Sequence, residues 1–164
     1  MIEFLESYDT KADNVQTSIP VLLNLLESRG PSNAKVAEAG LKNFDIHLVG
    51  IKERRLALIP AFIASKGGIP LILSLLELHA SDAGVAKAGL HAIGSLARGD
   101  REETSTALVS QKAFALIFRL LDEHKTNGDV VAQGFRALKY LTVKNDANKE
   151  ILVNSGSIAV VLKL

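Results

Sequence analysis

The chain has 164 residues, 48% hydrophobic but only 5% aromatic, with no Trp and no Cys. Such a core is built from Leu, Ile, Val and Ala, which favours helices over sheets, and disulfide frameworks and thiolate metal sites are excluded. With 19 basic and 18 acidic residues the net charge is +1, which argues against a dedicated nucleic-acid binder. No apolar run reaches the ~18–20 residues of a membrane span. Met1-Ile2-Glu3-Phe4 lacks the basic-then-apolar order of a secretory signal, so a cytoplasmic or nuclear setting is expected.

The first predicted helix, 19–29, carries Ile19-Pro20-Val21-Leu22-Leu23-Asn24-Leu25-Leu26. The second, 33–48, holds Gly40-Leu41-Lys42-Asn43-Phe44. A third, 52–65, opens on the charged Lys52-Glu53-Arg54-Arg55 and turns Leu56, Ile59 and Phe62 inward. Pro60 is expected to kink that helix or delay its start. It ends in Ile63-Ala64-Ser65-Lys66-Gly67, and Gly67-Gly68 suits the left-handed turn after a helix.

From there the blocks return. Helix 69–80 begins Ile69-Pro70-Leu71-Ile72-Leu73-Ser74-Leu75-Leu76, 50 positions after the first copy. Pro20 and Pro70 both suit a first helical turn. Ser81-Asp82 supplies capping chemistry for helix 83–98, whose Gly89-Leu90-His91-Ala92-Ile93 answers Gly40-Leu41-Lys42-Asn43-Phe44. Val85, Gly89, Ile93 and Leu96 make one apolar ridge, joined by Ala86, Leu90 and Ala97. Glycine inside a helix costs ~0.5–1 kcal/mol, so close packing of a neighbour is expected at Gly40, Gly89 and Gly134.

Asp100-Arg101-Glu102-Glu103 reads as a loop entering helix 101–111, with acids favoured at its start. That helix carries Leu108-Val109-Ser110-Gln111-Lys112. Helix 114–125 repeats the Ile69 block 45 positions on, as Phe114-Ala115-Leu116-Ile117-Phe118-Arg119-Leu120-Leu121. Asn127-Gly128-Asp129 leads into helix 129–143, with Gly134-Phe135-Arg136-Ala137-Leu138. Helix 147–154 runs into Leu152-Val153-Asn154-Ser155-Gly156, and 157–164 starts a fourth copy at Ile158. Three blocks in constant order at a 44–50-residue period mark an internal repeat.

Lys66-Gly67-Gly68-Ile69-Pro70-Leu71-Ile72, Ala88-Gly89-Leu90-His91-Ala92-Ile93-Gly94-Ser95-Leu96-Ala97 and Asn148-Lys149-Glu150-Ile151-Leu152-Val153-Asn154-Ser155-Gly156-Ser157-Ile158 resemble the armadillo repeat family. HEAT repeats are close relatives, and the Gly-Ile-Pro start of the second helix favours armadillo. The resemblance spans 15–164. It implies an all-α, right-handed alpha-alpha superhelix of three to four three-helix repeats in a single domain, at 15–50, 51–98, 99–143 and an incomplete 144–164. Because Leu164 falls within a second helix, this polypeptide is expected to be a piece of a longer protein.

In that family the third helices line a concave groove that receives extended peptides. By position, the groove here takes Lys42, Ile46, Lys87, His91, Ser95, Arg136, Lys139 and Tyr140. Peptide-binding members often place Trp where Lys42, His91 and Arg136 stand, and Asn where Ile46, Ser95 and Tyr140 stand. Both are absent, so recognition of nuclear-import signals is not expected. A basic column at Lys42, His91 and Arg136 points instead to an acidic protein or peptide partner. Tyr140 adds a flat apolar surface and a hydroxyl.

The histidines suggest no chemistry. His79 and His124 fall at the ends of second helices, where a basic group meets the helix dipole, and His47 has no partner at ligand spacing. No phosphate loop, nucleophile elbow or metal cluster is present in the sequence. The expectation is a non-enzymatic interaction scaffold without metal, cofactor or small-molecule substrate. The alternatives are a regulatory or targeting domain of a larger enzyme or assembly factor and, less favoured, an RNA-binding repeat. The unlike columns supply no regular base code for the last.

Overall fold

A computed structural model describes residues 15–49, 58–98 and 102–155. Among the described residues there are nine helices and no strand. They are α1 (Val15–Arg29), α2 (Ala34–Val49), α3 (Leu58–Ser65), α4 (Gly68–Leu78), α5 (Ala83–Ala97), α6 (Glu102–Ser110), α7 (Ala113–Glu123), α8 (Gly128–Thr142) and α9 (Asp146–Asn154). The expected helix 157–164, the charged run 52–55, and Asp100 with Arg101 lie outside the described residues.

The boundaries follow from local chemistry. Asn33, Asp82 and Asn127 each cap a helix by accepting from backbone N–H groups two and three residues on, at 2.8–3.3 Å. One cap thus recurs at the head of α2, α5 and α8. Glu102 and Glu103 occupy the first turn of α6, where the helix dipole favours acids. Gly67 takes the left-handed conformation before α4, with φ 77°. Lys112 takes the same conformation before α7, with φ 67°, although it has a side chain to strain. Pro70 sits in the first turn of α4 and Pro60 in that of α3. Pro20 differs from expectation: α1 starts at Val15, so Pro20 lies inside it, after a complete first turn and at the loss of one backbone donor.

Packing arranges the helices in three rows. α5 lies between α2 and α8 and makes its broadest contacts with both. α4 lies between α1 and α7, and α6 between α3 and α9. Flanked in this way, α5 buries more than the single ridge its sequence suggested. Val85, Ala86, Ala88, Gly89, Leu90, Ala92, Ile93, Gly94, Ser95, Leu96 and Ala97 are all buried.

The glycines Gly40, Gly89 and Gly134, on α2, α5 and α8, are notches for a leucine. A methyl built on Gly40 would lie 2.7 Å from Leu26 Cγ, on Gly89 2.6 Å from Leu76 Cγ, and on Gly134 3.0 Å from Leu121 Cγ. Carbon–carbon contact is normally near 3.5–4.0 Å, so each leucine occupies the space a side chain would need. All three leucines are fully buried.

Candidate functional site

Residues 42, 91 and 136 are separated by one repeat period, and the row α2–α5–α8 carries all three. Lys42 is exposed on α2 and pairs with Glu38 one turn earlier. A methyl built on Gly84 would stand 2.7 Å from Glu38 Oε2. The Glu38 carboxylate therefore lies over the first turn of α5, where N–H groups and the dipole favour negative charge. Lys87 reaches the next helix in the other direction, donating to Asp129 Oδ2 at 2.7 Å. Both ends of that pair are largely exposed, 48% and 71%, so it contributes little stability. It does neutralise a cation that the sequence left unopposed.

At the third helix the picture changes. Arg136 Nη1 donates to His91 Nε2 at 3.0 Å, joining α5 to α8 through side chains of the expected basic column. A guanidinium has no lone pair to offer, so His91 presents an unprotonated Nε2 and carries its hydrogen on Nδ1. Arg136 Cζ also lies over the Tyr140 ring, 5.8 Å from its centre, and Lys139 Nζ stands 5.5 Å from the same centre. Gly94 faces α8 at ordinary contact distance: a methyl there would lie 3.5 Å from Ala137 Cα and 3.7 Å from Tyr140 Cδ2.

The eight expected groove residues are thus sorted by packing. His91, Arg136, Lys139 and Tyr140 form one cluster. Lys42 and Lys87 are satisfied by carboxylates. Ser95 is buried, 5% exposed, so its side chain is not offered to a partner. Ile46 and His47 belong to α2, with side chains outside the described residues. Comparison with protein-family models, curated proteins and solved structures found no match. Among the described residues no three metal-ligating side chains gather, and no helix is long and apolar enough to cross a membrane.

Two further contacts escaped sequence reasoning. His79 Nε2 meets Gly30 O and His124 Nε2 meets Ala80 O, both at 2.7 Å. A carbonyl only accepts, so each ring donates from Nε2. Both histidines reach the carbonyl just beyond the neighbouring helix of the row α1–α4–α7. The separations of 49 and 44 residues match the repeat period, which was the available signal.

Proposed function

We propose that the chain is an armadillo-type repeat domain, coiled as a right-handed superhelix. On this reading it is a non-enzymatic scaffold that holds a peptide segment or partner domain along the row α2–α5–α8. The observation that carries it is the seating of α5 between α2 and α8, with Arg136 bonded to His91 across the row. Repeat-equivalent positions are thereby brought into line, giving an extended partner successive contacts on one surface. The repeated Asn33, Asp82 and Asn127 caps and the Gly40, Gly89 and Gly134 notches support the repeat assignment. Oxyanion-attracting and aromatic groups at Arg136, Lys139 and Tyr140 suit a protein ligand.

Because the chain has no Cys, single cysteines are specific reporters. Lys42→Cys, Lys87→Cys and Lys139→Cys mark the row, while Glu77→Cys and Arg119→Cys mark the exposed side of α4 and α7. Peptides selected from a displayed random library should slow alkylation at the first three and not at the last two. Arg136→Ala with Tyr140→Ala should weaken those peptides without loss of helicity. Protection confined to residues 77 and 119 would place the binding surface elsewhere and refute the proposal.

A further inference from the structure

Charge is distributed unevenly along the row. Lys42 and Lys87 have internal counter-ions in Glu38 and Asp129. Among the described residues, Arg136 and Lys139 have no carboxylate partner, and both cations lie within 6 Å of the centre of one ring, Tyr140, at 5.8 and 5.5 Å. Like charges gathered beside a half-buried ring repel one another, and an anion placed between them removes that cost.

The cluster is also ordered in advance. Arg136 is held by His91 on one side and by Tyr140 on the other, so little side-chain freedom remains to be lost on binding. Only one of its N–H groups is engaged by His91, leaving others of its planar fork for an oxyanion. The Tyr140 hydroxyl makes no hydrogen bond to a described residue and supplies another donor.

Resting on the reading of this row as a peptide-binding surface, we propose that α8 carries a receptor for paired carboxylates. It takes an acidic segment of a partner protein, with one Asp or Glu on the Arg136 fork and a second on Lys139. A pair is specified because a single carboxylate leaves one of the two cations unopposed. Nucleic acid fits less well: the Tyr140 ring already lies against two cations, where base stacking needs an open face, and the net charge of +1 provides no backbone-tracking surface.

Fluorescence anisotropy with the 164-residue chain tests this, using two labelled short peptides that differ only in two adjacent Glu or two adjacent Gln. The Glu peptide should bind about tenfold tighter at low salt, and the advantage should shrink as salt rises. Lys139→Gln, at an exposed position that leaves folding intact, should reduce the advantage about threefold or more. Arg136→Lys should restore only part of what Arg136→Gln loses, since the fork is gone, and Arg119→Gln, on the exposed side of α7, should change nothing. Equal binding of both peptides would overturn the carboxylate receptor and leave the peptide-binding surface standing. Binding of neither at millimolar concentration would overturn both. A phosphoserine counterpart binding far more tightly than the Glu pair would replace carboxylate by phosphate as the ligand.

Discussion

The sharpest test of the packing is Gly89→Ala. On an exposed helix this change stabilises by about 1 kcal/mol. Here the new methyl would stand 2.6 Å from Leu76 Cγ and 2.8 Å from Cδ1, roughly 1 Å inside normal contact. Leu76 is fully buried, so overpacking of about 1–3 kcal/mol opposes the propensity gain. The net expectation is a loss of up to about 2 kcal/mol. Leu76→Ala alone should cost about 2–5 kcal/mol through the hole it leaves. In that background Gly89→Ala should reverse sign, because its methyl enters vacated space and only the helix gain of about 1 kcal/mol remains. The four proteins form a double-mutant cycle with a coupling of about 1–3 kcal/mol, read from urea midpoints by far-UV circular dichroism at constant slope. An unchanged penalty in the Leu76→Ala background would refute the notch, as would a Gly89→Ala protein more stable than the parent.

Two further expectations concern features the repeat shares. His124→Ala should destabilise by about 1–3 kcal/mol because Ala80 O loses its donor, whereas His124→Gln should retain part of the bond; equal midpoints for both would remove the histidine contact from the account. Lys112→Gly should raise the melting temperature, since a non-glycine left-handed residue costs about 1–2 kcal/mol. Gly67→Ala should lower it by a similar amount, although nothing lies within 4 Å of the added methyl; a neutral Gly67→Ala would show that backbone strain does not govern this turn.

Much of the helical order was legible because punctuation and periodicity agreed. Asp82 and Asn127 caused helix starts where their capping chemistry predicted, and the apolar ridge of α5 is buried as read. The remainder of α5 was not legible, since its burial comes from being enclosed by α2 and α8, a tertiary fact. Lys112 at a left-handed position was hidden for the same reason: only equivalence with Gly67 reveals it. At the candidate site, position alone gathered Arg136, Tyr140 and His91. It could not tell that Lys87 would meet Asp129 on α8, or that Ser95 would be buried. Charge in a column is visible in a sequence, whereas the counter-ion that cancels it is fixed by how the repeats dock.

Each leucine stands 13 or 14 residues before the glycine that receives it, whereas the histidine bonds span 49 and 44 residues. Duplicating a whole period in frame would therefore leave every knob with its own socket and give each new histidine a carbonyl to find. If the repeat proposed above holds, the length of such a molecule can change by whole modules without any interior being redesigned.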